Sequence, residues 1–172
     1  AEAAAAAGLP DGVLNIVPGG RDTGAYLVEH PDIDKVSFTG STAAGRKIAE
    51  TCGRLLRPVT LELGGKAAAI LLDDVDLSAS MESLFGATLL NNGQICWLNT
   101  RVLAPTSRYD EVVDALTGLA SSLTVGDPLD PETKIGPLVS SRQRDRVEGY
   151  IAKGKAEGGR MTTGGKRPSS VD

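Results

Sequence analysis

The spacing of apolar residues over the first 63 positions alternates between that of strands and that of helices. Short apolar runs bounded by Gly, Pro or Ser predict three strands, at residues 13–17, 36–39 and 59–63. Two stretches between them predict helices, at residues 23–29 and 42–52. Ser41 is placed to cap the second helix. Strands that alternate with helices through short loops are typical of parallel βαβ units, so this region predicts part of a doubly wound sheet.

The pattern changes after the glycine pair Gly64-Gly65, which we interpret as a domain boundary. Beyond it, strands are predicted at residues 68–72, 101–104 and from 161 onward. Helices are predicted at residues 77–90, at 109–123 and from a Ser140 cap to about 157. The alanine-rich residues 1–8 resemble the tail of a further helix. The predicted fold class is α/β.

Composition narrows the range of functions without choosing one. The 172 residues are 41% hydrophobic, 23% charged and only 3% aromatic, with a net charge of −4, which suits one soluble domain or two partial ones. The sequence contains no basic stripe of the kind that indicates nucleic-acid binding. It also contains no apolar run of the roughly 20 residues that a membrane helix needs. The chain begins with Ala and ends without an evident final element, so we expect a piece of something larger.

Cysteine and histidine usage excludes two kinds of structural site. Two cysteines, Cys52 and Cys96, are too few for a disulfide scaffold, which favours an intracellular protein. With one histidine, His30, and no CxxC pair, a structural zinc site is not expected.

The segment from Gly40 to Lys47 follows a predicted strand and opens a predicted helix. Free N–H groups and the helix dipole converge at such a point, which favours anion binding. The segment has neither the Lys of a Walker A loop after Gly45 nor the middle glycine of the GxGxxG fingerprint. On spacing alone, an ordinary strand-to-helix turn and a cofactor site both stay open.

Glu62 lies late in an apolar predicted strand, just before Gly64-Gly65. Its carboxylate is either on an exposed edge or at the carboxyl end of a parallel sheet, where α/β proteins bind ligands. Burial there would raise its pKa and make it a usable general base. The residues alone leave both interpretations open.

Cys96 follows segment 91–95, which is rich in turn-forming polar residues, and this polar segment distinguishes it from Cys52. Cys52 lies on a predicted helix and fits the usual role of a small buried apolar residue. A thiol on a polar turn can instead face a cleft as a nucleophile, so packing and catalysis are both open for Cys96. Trp97, the only tryptophan, stands beside it as a candidate substrate wall or core residue.

Three motifs together resemble the NAD(P)-dependent aldehyde dehydrogenase superfamily. They are Val36-Ser37-Phe38-Thr39-Gly40-Ser41-Thr42 with Gly45, Leu61-Glu62-Leu63-Gly64-Gly65-Lys66, and Asn91-Asn92-Gly93-Gln94-Ile95-Cys96. Gly126-Asp127-Pro128 and Gly136-Pro137-Leu138 continue the resemblance downstream. It implies that residues 1–63 are the C-terminal part of a dinucleotide-binding domain. Residues 64–172 are then the N-terminal part of the catalytic domain.

The resemblance also implies a site and a reaction. Cys96 is the nucleophile that forms a thiohemiacetal and then a thioester with an aldehyde, and Glu62 is the general base that activates water to release a carboxylic acid. The cofactor is NAD, with NADP possible. Its contacts are Gly40, Ser41, Gly45, Leu63 and Gly64, and no metal is implied. The implied partners are a small aldehyde and further copies of the chain, in the cytoplasm, with no membrane or nucleic acid.

Two alternatives to this reaction stay open. A CoA-acylating relative would pass the thioester to a thiol, although that branch usually lacks a carboxylate at the position of Glu62. The chain by itself is also expected to be inactive, because the family's oxyanion-hole Asn and nicotinamide-ribose Glu lie outside it. Two departures from the family pattern are Ala67-Ala68-Ala69 after Lys66 and the bulky Trp97 after Cys96.

Overall fold

The computed structural model describes residues 2–168. Residue 1, from the predicted helix at residues 1–8, and residues 169–172, which follow the start of the strand predicted from 161, lie outside the described residues. The chain divides into two compact units, Ala1–Gly64 and Gly65–Asp172. Each unit contains one pair of parallel strands joined through a helix. The α/β class is therefore confirmed.

The described part of the first unit, residues 2–64, contains three helices and two strands. In chain order they are α1 (Glu2–Ala6), α2 (Arg21–Glu29), β1 (Val36–Gly40), α3 (Thr42–Arg54) and β2 (Val59–Leu63). The predicted helices and the second and third predicted strands are confirmed, with ends shifted by up to two residues. Strand β1 pairs in parallel with β2 from Val36↔Val59 to Gly40↔Leu63. Helix α3 packs against both strands and α2 packs against α3.

The strand predicted at residues 13–17 is wrong. These residues form a bend followed by irregular backbone, and Val13, Ile16 and Val17 are each at least 60% exposed. A strand is stable only when its N–H and C=O groups pair with a neighbour. Within residues 2–168 this run has no pairing strand, so its β-branched composition does not produce one.

The second unit repeats the strand–helix–strand order and adds two long helices. Its elements are β3 (Ala68–Ile70), α4 (Leu77–Thr88), β4 (Arg101–Leu103), α5 (Tyr109–Ser122) and α6 (Ser141–Ala156), with short 3₁₀ turns at Leu90–Gly93 and Thr106–Arg108. Strand β3 pairs in parallel with β4. Ser140 caps α6 by accepting from the Gln143 N–H, as predicted. The strand predicted from Met161 is wrong, because within residues 161–168 the backbone pairs with no strand. Thr162 and Thr163 contact α5 through their hydroxyls instead.

The core of the second unit lies between α4 and α5. Leu77, Leu84 and Val112 are at most 7% exposed there, with further apolar side chains of β4 and α5 packed around them. Arg108 fastens the start of α5 to the preceding segment: it donates to the carbonyls of Asp73 and Val75 and pairs with both carboxylate oxygens of Glu111. The hydrogen bonds that Arg108 donates to Glu111 lower the pKa of the Glu111 carboxyl.

Among residues 2–168, no helix combines the length and the apolar content needed to cross a bilayer.

The end of α3 contains a strained position that a substitution should relieve. Leu56 has a φ of 52° and is 92% exposed, while the Arg57 N–H reaches back to the Cys52 carbonyl. This backbone conformation suits glycine and is costly for a residue with a side chain. We expect Leu56→Gly to raise the free energy of unfolding by about 0.5–1 kcal/mol, measured by urea denaturation.

The neighbouring residue is a matched control for this prediction. Leu55 has a φ of −91° and is 39% exposed, so Leu55→Gly gives up packing and relieves nothing. It should lower the free energy of unfolding, and equal effects of the two variants would contradict strain at Leu56.

Candidate functional site

The carboxyl ends of β1 and β2 form one edge of the first unit. The parallel register places Gly40 opposite Leu63 and Thr39 opposite Glu62. Side chains alternate between the two faces of a strand, so Glu62 is exposed whereas Leu61 and Leu63 are half-buried. The edge therefore presents a solvent-accessible carboxylate two residues before Gly64.

Helix α3 begins at this edge, with a single residue between it and the end of β1. Ser41 caps it by accepting from the Ala44 N–H at 3.2 Å. The N–H groups of Thr42 and Ala43 have no acceptor among the described residues, and none of the described residues in the first turn is acidic. The start of α3 can therefore bind an anion.

Gly45 allows α3 to approach β2 closely. It is buried, and a Cβ atom added there would lie 2.6 Å from Leu63 Cδ2, well inside contact distance. Gly40 is similarly crowded, because an added Cβ would lie 2.5 Å from the ring of Phe38. A larger residue at either glycine would therefore force the neighbouring side chain to move.

Cys96 lies in the second unit, on a turn closed by a hydrogen bond from the Leu98 N–H to the Ile95 carbonyl. Cys96 is exposed, Trp97 is 55% exposed and Leu98 is 1% exposed. The Cys96 N–H has no acceptor among the described residues. Cys52, by contrast, is fully buried on α3, as expected of a packing residue.

The backbone before Cys96 adopts an uncommon conformation. Asn91, Asn92 and Gly93 have φ values of 51°, 58° and 73°, so three consecutive residues occupy the left-handed region. Asparagine and glycine tolerate this region better than other residues do. The polar composition that predicted a turn before Cys96 is the composition that this backbone requires.

The structure thus gathers most of the predicted site residues at one edge. Gly40, Ser41, Gly45, Glu62, Leu63 and Gly64 belong to the first unit, and Cys96 belongs to the second. Sequence reasoning missed the side chain of Asn92, which pairs with the backbone of Gly136. Its partner is 44 residues away, so no local signal identifies it. Within residues 2–168, no cluster of three potential metal ligands occurs.

Comparison with known proteins decides the family. All 172 residues, 1–172, match the model of the Aldehyde dehydrogenase family. The chain belongs to this family.

Individual aldehyde dehydrogenases are similar over nearly the whole chain. The geranial dehydrogenase of Castellaniella defragrans is 60% identical over 169 residues, covering 98% of this chain and 35% of its own length. Betaine aldehyde dehydrogenase 1 of Rhizobium meliloti is 46% identical, covering 96% of this chain and 34% of its own length. The chain therefore spans about a third of the length of the relatives that it matches.

Solved aldehyde dehydrogenases share the fold. A Mycobacterium tuberculosis aldehyde dehydrogenase complexed with NAD⁺ superimposes with a TM-score of 0.94 at 53% identity, covering 98% of this chain and 35% of that one. The family uses NAD(P). The start of α3 can hold an anionic group such as a phosphate, because two N–H groups without an acceptor among the described residues and the positive end of the helix dipole lie there.

The close approach of α3 to β2 gives a stability prediction. Gly45→Ala places a methyl group against Leu63, so we expect it to lower the free energy of unfolding by about 1 kcal/mol. Gly53→Ala is a control on the same helix, where an added Cβ meets no heavy atom within 4 Å. It should instead raise stability by about 0.5–1 kcal/mol, through helix propensity. Thermal unfolding measures both, and stabilisation by both variants would contradict the tight contact.

Proposed function

We propose that the complete protein is an oxidoreductase that oxidises an aldehyde to a carboxylic acid with NAD⁺. The observation that carries the proposal is the match of the entire chain to the aldehyde dehydrogenase family, with an exposed cysteine on a well-held turn. An exposed thiol is accessible to a substrate, whereas the buried Cys52 is not.

Cys96 is the proposed nucleophile. Its thiolate adds to the carbonyl carbon, so that a C–S bond forms and the carbonyl oxygen becomes an oxyanion. The oxyanion needs hydrogen-bond donors, and the N–H of Cys96, which has no acceptor among the described residues, supplies one. When bound, NAD⁺ supplies the two-electron acceptor that converts this adduct into a thioester.

The first unit is proposed to hold the cofactor. Gly40 and Ser41 meet the pyrophosphate at the start of α3, and Gly45 keeps the helix close to the sheet so that its N-terminus is presented there. Leu63 and Gly64 contact the nicotinamide. Support for this assignment comes from the shared edge of β1 and β2 and from the family's use of NAD(P).

Glu62 is the proposed general base of hydrolysis. It takes a proton from water, the resulting hydroxide adds to the thioester, and the C–S bond breaks to release the acid and regenerate the thiolate. Its exposed position on β2 leaves the carboxylate accessible to water. A base is required because water attacks a thioester slowly at neutral pH.

Kinetics of the complete protein test this mechanism. NADH formation is followed with a panel of aldehydes, with and without CoA, in wild type and in Glu62→Gln. We expect acid formation without CoA in wild type and a stalled thioester in Glu62→Gln, with turnover at least 100-fold lower. Cys96→Ser should abolish turnover.

Control variants separate the chemistry from general damage. Glu50→Gln changes another exposed carboxylate, on α3, and should leave the rates unchanged. Activity that requires CoA and ignores Glu62→Gln would instead assign the protein to the acylating branch. Absence of NADH formation under every condition would contradict dehydrogenase activity.

The proposed substrate class is an apolar aldehyde. Geranial dehydrogenase, with an apolar substrate in its name, is 60% identical, against 46% for the betaine aldehyde relative. Trp97, beside Cys96, exposes a flat apolar surface that favours such a substrate and narrows the space for aldehydes that are bulky at the carbon next to the carbonyl.

Substitution of Trp97 tests the substrate class. Trp97→Thr should raise kcat/KM for a bulky branched aldehyde relative to propanal by about 10-fold, because the added space admits one or more extra methylene groups. Trp97→Phe keeps an aromatic surface and is the control. An unchanged ratio in both variants would show that Trp97 does not line the substrate path.

Three further features stay predictions. They are the cytoplasmic location, the assembly into homo-oligomers, and the lack of turnover by the 172 residues alone. Size-exclusion chromatography with light scattering on the complete protein checks the second.

A further inference from the structure

Asn92 makes a long-range contact that the proposed mechanism does not use. Its side-chain Nδ2 donates to the Gly136 carbonyl at 2.8 Å and to the Pro137 carbonyl at 3.3 Å. Its Oδ1 accepts from the Gly136 N–H at 3.1 Å. The side chain therefore satisfies both polar groups of Gly136 at once, as a neighbouring strand would.

Gly136 is itself firmly held within the second unit. The loop before it is closed by backbone hydrogen bonds from Lys134 and Ile135 to the Thr124 carbonyl and from Gly126 to the Ile135 carbonyl. Asn92 thus ties the turn at residues 90–93 to a loop with its own internal support.

The segment that carries Cys96 is suspended between two anchors. Upstream is Asn92, four residues before the thiol. Downstream, Leu98 is almost fully buried, and Asn99 donates from its backbone to Ala87 and from its side chain to Ala68, both at 2.8 Å. Between these anchors, Cys96 and Trp97 are exposed, as is Gln94.

The upstream anchor also holds a strained backbone. The hydrogen bonds from Gly93 to Leu89 and from Gln94 to Asn91 are local to the turn. Among the hydrogen bonds described for residues 90–94, those of the Asn92 side chain to Gly136 and Pro137 are the long-range ones. Two left-handed asparagines in succession are less favourable than an ordinary backbone, and these hydrogen bonds help to hold them.

We propose that Asn92 is a positioning residue for the Cys96 nucleophile, acting through its amide pair with Gly136. The inference rests on the proposed function for the role of Cys96, but the anchoring of the turn is measurable without turnover. Loss of the pair frees the approach to Cys96, so the thiol spends less time in the orientation that attacks the carbonyl.

Two glycine variants of the complete protein separate the pair from the backbone conformation. Asn92→Gly keeps the left-handed backbone and removes the amide, and Asn91→Gly keeps the same backbone at a position whose side chain makes no such pair in the described chain. We expect Asn92→Gly to lower kcat about 10-fold, with KM for NAD⁺ within 2-fold of wild type. Asn91→Gly should retain wild-type kinetics.

Hydrogen exchange and thiol alkylation supply readouts that do not depend on turnover. In Asn92→Gly, amide exchange over residues 93–98 should accelerate about 10-fold, and the rate of Cys96 alkylation by iodoacetamide should change, while Asn91→Gly matches wild type. If Asn92→Gly does not fold, Asn92→Asp serves instead, since it keeps the size and the acceptor and replaces the donors. It should lower kcat in the same direction.

The outcomes distinguish this inference from the proposed function. If wild type forms no NADH with any aldehyde, the proposed function fails, and exchange and alkylation still decide whether Asn92 anchors the turn. If wild type is active but Asn92→Gly and Asn91→Gly agree in kcat, exchange and alkylation, the positioning role is overturned and the dehydrogenase stands.

Discussion

Parallel pairing of β1 and β2 brings the carboxyl ends of both strands to one edge of the first unit, and the proposed cofactor site depends on this constraint. The same pairing requires a crossover, and α3 supplies it. Since α3 must return along the sheet, its N-terminus opens where β1 ends, beside Glu62 and Leu63. The buried Gly45 then sets how closely the helix lies against β2.

The second unit solves a different problem, which is to expose a thiol on a stable backbone. In a helix or a strand, the regular backbone would fix the direction of the Cys96 side chain together with those of its neighbours. The chain instead leaves α4 through three left-handed residues and re-enters the core at Leu98. The turn that leads to Cys96 is therefore held by hydrogen bonds to a peptide 40 residues downstream of the thiol.

The sequence was informative wherever the cause of the structure is local. Ser41 and Ser140 cap helices as predicted, because a cap needs only the side chain and the next three residues. The strand predicted at residues 13–17 failed since a strand also needs a partner, which composition does not supply. For the same reason, the turn before Cys96 could be predicted, but the Asn92–Gly136 pair could not.

The alternation of strands and helices predicted the parallel strands, which the structure confirms. The three motifs predicted the aldehyde dehydrogenase family, which the comparisons confirm. The resemblance to this family also nominated Cys96 and Glu62, whose roles stay proposals. Motifs identify least well the residues that hold the backbone of the site in place. Positions such as Asn92 hold the backbone by contacts that only a folded chain reveals.

The contact at Asn92 also bears on the chemical ageing of the protein. Asn92 precedes Gly93, and an asparagine followed by glycine offers little steric protection against attack of the next peptide nitrogen on its side-chain carbonyl. Both polar atoms of this amide are engaged by Gly136, which restricts that attack. Deamidation here would set a carboxylate against the Gly136 carbonyl. Deamidation during prolonged storage or heating would thus weaken the hydrogen bonds that hold the turn before Cys96, while the thiol stays chemically unchanged.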